Sequence, residues 1–197
     1  MQTDIVIIAC SIFRYELEYL QSRNRIDIPI VYIGSMLHMN PKKLQELLDA
    51  RLKEYEHSKV ILLFGDCHAR MLDYETNTNV VRAQGINCCE IFLGFTEYNR
   101  LRKDGAFILL PEWSVRWKEA FIDYMGFENS KSTSLFMNDM HKKIVFVDTG
   151  FGEINQPLLT EIAEYFSLPL ELHHISLAVL EKSLTLMIDK QRNAACE

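Results

Sequence analysis

Short apolar runs that alternate with helical patterns constrain the fold of this chain most strongly. Residues 4–9 (DIVIIA), 59–64 (KVILLF) and 143–147 (KIVFV) are almost unbroken runs of Ile, Val, Leu and Phe. Such runs are typical of parallel strands that are buried on both faces. Short strands are also predicted at residues 29–33 and 106–110, with a weaker strand pattern at 79–82 and a further candidate strand at 170–174. We therefore predict an α/β fold: a doubly wound, mostly parallel sheet of about six strands with helices on both faces, in a single domain over residues 1–197.

Capping residues and leucine spacing predict helices between these strands. Asn40 followed by Pro41 is typical of a helix start, and leucines at helical spacing follow it. Asn87 is a candidate cap for a short helix that begins near Cys88. The most polar segment, residues 129–141, is interpreted as a surface excursion.

Composition and charge exclude several classes of protein. The chain has 197 residues, 48% of them hydrophobic, and a formal net charge of −6. A net acidic chain lacks the basic surface that non-specific nucleic-acid binding requires. No apolar run approaches the ~20 residues of a membrane span. The N-terminus has no basic region ahead of its short apolar run, so we expect no signal peptide and place the protein in the cytoplasm.

Cysteines follow several of the predicted strands. Cys10 ends the first strand, Cys67 follows the third, and Cys88 and Cys89 follow the fourth at a helix start. His38 follows the second strand. Because the carboxyl ends of parallel strands meet at one edge of a sheet, we expect these side chains to converge there. A helix N-terminus also lowers a thiol pKa, which favours the thiolate.

Thiolates that gather in this way suit zinc or an iron–sulfur cluster, with or without an imidazole ligand. Five cysteines in a cytosolic chain argue against a disulfide framework. The alternative is that Cys10 and Cys89 are only small buried core residues. Cys67 is the least suited to a core position because its loop is polar, and Cys88 and Cys89 cannot both face one site from a helix.

A second candidate site follows the strand at residues 143–147. Backbone N–H groups of Asp148, Thr149 and Gly150 could bind an anionic cofactor group there, although an ordinary turn explains the segment equally well. His173 and His174 end the last candidate strand, and we interpret them as surface residues.

Six short segments of the chain, taken together, resemble the sequence pattern of a known family. The segments are IIACSIFRYELEYL (7–20), MLHMNPKKL (36–44), ILLFGDCHARM (61–71), NCCEIFLG (87–94), LLPEWSVRW (109–117) and FVDTGFG (146–152). In this order and spacing they resemble an uncharacterised family of small α/β proteins, catalogued as a domain of unknown function. That family is found mainly in anaerobic prokaryotes, often encoded beside corrinoid-dependent methyltransferases.

The resemblance implies four ligand positions. Cys10 matches a family cysteine after the first strand, and His38 matches a histidine before a proline-opened helix. Cys67 matches the cysteine of a Gly-x-Cys loop, and Cys88 matches the cysteine of a His-Asp-Cys element. In this chain Ile86 and Asn87 replace the His and Asp, which puts a proton-transfer role at that element in doubt and leaves the cysteine in place.

The favoured hypothesis is a protein that binds zinc or an iron–sulfur cluster through Cys10, Cys67, Cys88 and His38. By analogy of gene neighbourhood only, its setting is anaerobic one-carbon or corrinoid metabolism, with a corrinoid protein or methyltransferase as partner.

Two alternatives stay open. In the first, the protein is a metal-free enzyme or ligand binder in which Cys67 is a nucleophile and His68 or His38 is its base. In the second, the protein is a non-catalytic partner subunit that docks through an exposed apolar face. The residues of that face are Phe92, Phe95, Trp113 and Trp117.

Overall fold

The computed structural model describes residues 4–193, with parallel strands and helices in alternation. The strands are β1 (Ile5–Cys10), β2 (Ile30–Ile33), β3 (Lys59–Leu63), β4 (Val80–Arg82), β5 (Ala106–Leu109), β6 (Lys143–Asp148) and β7 (Leu170–His174). The α-helices are α1 (Arg14–Ser22), α2 (Pro41–Glu54), α3 (Cys88–Leu93), α4 (Phe95–Lys103), α5 (Pro111–Val115), α6 (Ser130–Met140), α7 (Gln156–Phe166) and α8 (Ala178–Asn193). Short 3-10 helices cover Ser11–Phe13, Ser35–Met39 and Met71–Thr76, and Lys118–Tyr124 is a π-helix.

The chain forms two compact units. Of the described residues, the first comprises 4–92 and 177–193, and the second comprises Leu93–Ser176. The first unit contains a four-stranded sheet in the order β2-β1-β3-β4. Ile7 of β1 lies between Ile30 of β2 and Ile61 of β3, and all the pairings are parallel. Ile7 and Ile61 are fully buried, as the unbroken apolar runs predict.

The strand order of the first unit defines where a ligand can bind. The chain passes from β1 outward to β2, and then returns to the other side of β1 to form β3 and β4. Connections therefore leave β1 and β3 in opposite directions, which opens a crevice beyond their carboxyl ends. Open α/β sheets bind their ligands at such a point.

The second unit contains a separate parallel sheet in the order β5-β6-β7. Its core is aromatic: Trp117, Phe121 and Phe166 are each 2% exposed or less. The rings of Phe121 and Phe166 meet edge to face at a centroid distance of 5.4 Å, a favoured aromatic geometry.

The α/β class and the parallel strands are confirmed, and the doubly wound arrangement fits. The size of the sheet was predicted wrongly, because two sheets of four and three strands replace one sheet of about six. Strand patterns in the sequence show which segments form strands but not which strands pair with one another. A single domain over residues 1–197 stays a prediction.

The segment at residues 129–141 differs from the prediction of a surface excursion. The polar segment at residues 129–141 is mostly helix α6, in which Asn129 caps the helix by accepting the N–H of Ser132. The buried side chains of Thr133 and Met137 anchor this otherwise polar helix.

Within residues 4–193, none of the helices is both long and apolar enough to cross a bilayer.

Candidate functional site

The four predicted ligand residues lie on four consecutive connections of the first unit. Cys10 is the last residue of β1, and His38 lies in the 3-10 turn that follows β2. Cys67 lies in the loop after β3, and Cys88 is the first residue of α3, which follows β4. All four therefore belong to the carboxyl edge of the sheet, where the crevice between β1 and β3 opens.

Backbone contacts bring the loop of Cys67 against the segment before Cys88. The N–H of Asp66 donates to the carbonyl of Ile86 at 2.9 Å. A β-carbon on Gly65 would lie 2.3 Å from the Cα of Asn87, a distance that real β-carbons do not tolerate. Only glycine allows the two segments to come this close. In the sequence, Gly65 stands out only as part of the Gly-x-Cys pattern, which does not indicate this role.

The start of α3 is capped in a way that places Cys88. Asn87 accepts the N–H of Glu90 through its side-chain oxygen at 2.9 Å, so its predicted role as a cap is confirmed. The Glu90 carboxylate in turn accepts the N–H of Ile86 at 2.9 Å. Asn87 thus performs the capping that an aspartate would perform, without adding a negative charge beside the thiols.

The side chains of the four residues form a hydrogen-bonded series. Cys88 is hydrogen-bonded to Cys10 and to Cys67, and Cys67 is hydrogen-bonded to His38. Cys10 is buried, whereas Cys67 and Cys88 are partly exposed. The structure therefore brings together the three sulfurs and the imidazole that the sequence predicted to converge.

Cys67 carries the thiolate of this series. Its pKa is lowered to about 5, chiefly by the hydrogen bond from the Cys88 thiol and also by the hydrogen bond and charge of His38, against the opposing effect of burial. The hydrogen bond to Cys67 raises the pKa of His38 in return. Cys67 is therefore a thiolate at neutral pH, and its hydrogen bond with His38 favours the charged form of each partner.

Cys88 and Cys89, the first two residues of α3, retain their protons at neutral pH. Hydrogen bonds to Cys10 and Cys67, together with burial, raise the pKa of Cys88 well above its ordinary value. Burial alone raises the pKa of Cys89 to about 12. The prediction that the helix N-terminus lowers these thiol pKa values is therefore wrong, because burial and sulfur neighbours outweigh the dipole of a six-residue helix.

His68, the other candidate base, faces a different environment. It is 7% exposed, its Nδ1 accepts the N–H of Arg70 at 3.2 Å, and its ring meets Tyr74 edge-on at a centroid distance of 5.4 Å. Burial lowers the pKa of His68, which keeps the ring neutral at pH 7. His38 supplies the hydrogen bond to Cys67, so it is the better placed of the two histidines to act with that sulfur.

The fit of this site to a metal ion is incomplete as the side chains stand. Among residues 4–193, no group of three or more His, Cys, Asp or Glu side chains has the arrangement that holds a metal ion. The hydrogen bonds instead run in series from Cys10 through Cys88 and Cys67 to His38. Cys88 holds a proton that a metal ligand must release. Metal binding at this site therefore requires deprotonation of Cys88 and a rearrangement of the side chains.

The second candidate site lies in the second unit, where Asp148 ends β6 beside His174 of β7. One oxygen of Asp148 accepts the N–H of Gly150 at 2.8 Å, and the other lies 2.6 Å from Nδ1 of His174. Thr149 is buried. His174 is exposed, as expected from the sequence, but its contact with Asp148 was not predicted. The signal for that contact is that both residues end strands, which lie side by side in the sheet. Cofactor binding at Asp148, Thr149 and Gly150 stays a prediction.

The prediction of an exposed aromatic docking face is wrong for two of its residues, because their side chains are buried. Phe92 is 1% exposed and Trp117 is 2% exposed, so both are core residues in their own units and neither can contact a partner. Phe92 packs on Phe13 at a centroid distance of 4.6 Å. Phe95, at 73% exposed, is on the surface as expected.

Comparison with known proteins identifies a family. Residues 32–184, more than three quarters of the chain, match a family described as a protein of unknown function, DUF1638. His38, Cys67 and Cys88 lie within the matched segment, and Cys10 precedes it. No curated protein and no solved structure matches the chain. The chain therefore belongs to the DUF1638 family of proteins of unknown function.

Proposed function

We propose that this protein binds a soft metal centre, either a zinc ion or an iron–sulfur cluster, through Cys10, Cys67, Cys88 and His38. The observation that carries the proposal is the hydrogen-bonded series of three sulfurs and one imidazole at the carboxyl edge of the β2-β1-β3-β4 sheet. Core packing alone does not require thiols from three separate connections to meet. Thiolate and imidazole are the ligands that zinc and iron–sulfur clusters take up.

The protonation of the site supports a metal as the missing partner. Cys67 is a thiolate at neutral pH, so one ligand is ready to bind. Cys88 retains its proton because it lies between two other sulfurs. A divalent cation between these sulfurs would replace that proton and relieve the crowding of sulfur electron density. Metal uptake should therefore release protons.

The finer setting rests on the family resemblance. We infer that the protein acts in the cytoplasm in one-carbon or corrinoid metabolism, beside a corrinoid protein or a methyltransferase. A zinc ion with an open position would serve there by activating a thiol or methyl acceptor, whereas a cluster would serve electron transfer or cofactor maturation.

The test is the metal content of the full-length protein purified without oxygen. We expect about one zinc ion or one iron–sulfur cluster per chain. The variants Cys10→Ser, Cys67→Ser and Cys88→Ser should each lose most of the metal. Cys89→Ser is the matched control, because Cys89 adjoins Cys88 but burial, not a sulfur neighbour, dominates its pKa. Wild-type protein that contains no zinc or iron and takes up neither on reconstitution would contradict the proposal.

A second function is favoured by the pairing of Cys67 with His38. A thiolate hydrogen-bonded to an imidazole group is the arrangement of a cysteine nucleophile and its acid–base partner. In this account Cys67 attacks an electrophilic substrate and His38 holds or returns the proton. Selective alkylation of Cys67 by iodoacetamide at pH 7 in metal-free protein, lost in His38→Gln, would support it. Equal reactivity of the described cysteines would contradict it.

A further inference from the structure

We propose that Cys67 and Cys88 form an oxidation site, at which a small hydroperoxide converts the two thiols to an intramolecular disulfide. This site goes beyond the binding of a metal, because it needs only the two sulfurs and a peroxide. Its effect on the metal centre rests on the proposed function.

Backbone contacts between the two segments hold the sulfurs of Cys67 and Cys88 close together. Their side chains are hydrogen-bonded to each other. On either side of that contact, the Asp66 N–H donates to Ile86 and Gly65 packs directly against Asn87. A disulfide forms readily between thiols that are held together in this way, since little chain entropy remains to be lost.

Exposure favours the Cys67–Cys88 pair over Cys10 as the place of the first step, and Cys89, also partly exposed, is not among the hydrogen-bonded sulfurs. Cys67 and Cys88 are partly exposed, whereas Cys10 is buried at 6% exposure. A hydroperoxide small enough to enter the crevice therefore reaches Cys67 or Cys88 before Cys10. Cys67 is also the sulfur that contacts His38, whose N–H can donate to the oxygen that leaves.

The reaction balances with the peroxide as the only oxidant. The sulfur of Cys67 attacks one peroxide oxygen, the O–O bond breaks, and with hydrogen peroxide one water leaves as Cys67 becomes a sulfenic acid. The sulfur of Cys88 then attacks the sulfur of Cys67, an S–S bond forms, and the hydroxyl leaves with the thiol proton as a second water. Two thiols lose two electrons, and the peroxide gains them. A reducing dithiol reverses the change by disulfide exchange.

Oxidation at this pair would remove two of the three sulfur ligands of the proposed metal centre. Cys10 and His38 would remain, and two ligands are too few for a structural zinc or cluster site. The disulfide would therefore release the metal.

The experiment treats the full-length protein with one equivalent of hydrogen peroxide, in metal-free and in metal-loaded form. Remaining thiols are then alkylated in acid, and the disulfides are mapped by mass spectrometry. We expect loss of two thiols per chain and a Cys67–Cys88 disulfide that a dithiol reductant removes. In Cys88→Ser, we expect dimedone to trap a sulfenic acid at Cys67 instead. Cys89→Ser should behave as wild type, and circular dichroism checks that each variant is folded.

Several results would overturn the inference. These are a disulfide between other cysteines, disulfides only between chains, or peroxide treatment of metal-free protein that leaves Cys67 and Cys88 as thiols. Metal content is measured on the same samples, so the two proposals can fail separately. A Cys67–Cys88 disulfide in protein that never binds metal would contradict only the proposed function. Metal binding without this disulfide would contradict only the oxidation site.

Discussion

Gly65 and Asn87 approach so closely that a β-carbon on Gly65 would lie 2.3 Å from the Cα of Asn87. The loop after β3 and the segment before α3 therefore pack backbone against backbone. Cys67 lies two residues after Gly65, and Cys88 directly follows Asn87. The proximity of these two sulfurs depends on this contact, and so do the proposed metal centre and the oxidation site.

Substitution of Gly65 should therefore damage both stability and the sulfur cluster. We expect Gly65→Ala to lower the free energy of unfolding by about 1–3 kcal/mol, the typical effect of overpacking. The added methyl group should also push Cys67 away from Cys88 and raise the pKa of Cys67. Urea denaturation and the pH profile of Cys67 alkylation measure the two effects. Gly34→Ala is the control, since a β-carbon there meets nothing within 4 Å. Equal stability of the two variants would contradict the prediction.

The alkylation of Cys67 should follow a low pKa in metal-free protein. Because hydrogen bonds from Cys88 and His38 lower the pKa of Cys67 to about 5, the thiolate is present above that pH and disappears below it. The rate of reaction with iodoacetamide should rise with a midpoint near pH 5. An ordinary cysteine reacts with a midpoint at about pH 8.5, and a midpoint there for Cys67 would contradict the prediction.

Two comparisons separate the causes of that low pKa. His38→Gln removes the imidazole whose hydrogen bond and charge lower the pKa of Cys67, so the midpoint for Cys67 should move to higher pH. Cys89 is the internal control, because burial raises its pKa to about 12 and it should stay unreactive near neutral pH. An unchanged midpoint in His38→Gln would show that the Cys88 hydrogen bond alone lowers the Cys67 pKa.

Metal removal should destabilise the protein. A ligand that binds only the folded state adds about 2.7 kcal/mol at a free concentration one hundred times its Kd. A chelator should therefore lower the melting temperature of wild type and of Cys89→Ser, and it should leave Cys67→Ser unchanged. Differential scanning calorimetry on the same preparations measures this. A chelator effect that persists in Cys67→Ser would place the metal elsewhere.

Gln191 of α8 should be important for the stability of the first unit. Its side-chain amide is buried and donates to the carbonyls of Val60 at 2.8 Å and Asn79 at 2.9 Å. Gln191→Leu would leave these carbonyls without that donor, and we expect a loss of about 1–3 kcal/mol in chemical denaturation. Lys190→Ala, one residue away and exposed, should change stability by less than about 0.5 kcal/mol. Similar losses in both variants would contradict this role.

Much of the fold could be predicted because the interior strands of both sheets, β1, β3 and β6, are nearly continuous apolar runs. The runs at residues 4–9 and 143–147 correspond to β1 and β6, each within one residue of the structure. Asn40 and Asn87 cap α2 and α3 as their sequence context indicates. Local patterns of this kind depend on a few neighbouring residues, which the sequence contains in full.

The division into two sheets could not be predicted, because it depends on which distant strands pair. β4 and β5 both look like ordinary short strands, yet β4 pairs with β3 and β5 pairs with β6. Helix α6 was missed because only Thr133 and Met137 are buried on it, too few for an apolar stripe.

The convergence of the sulfurs could be predicted from strand order, but their protonation could not. Cys67, Cys88 and Cys89 all follow strands, and a helix start alone would lower the pKa values of the last two. Contacts decide otherwise: Cys67 receives hydrogen bonds from two donors, Cys88 lies between sulfurs, and Cys89 is dominated by burial. Such contacts join residues more than twenty positions apart and leave no local pattern.

X-ray absorption spectroscopy at the metal edge, on full-length protein loaded without oxygen, identifies the atoms bound to the metal. We expect a coordination shell dominated by sulfur, at about 2.3 Å for zinc, that loses sulfur in Cys67→Ser and not in Cys89→Ser. A shell made only of oxygen and nitrogen, or a sulfur shell unchanged in Cys67→Ser, would contradict it.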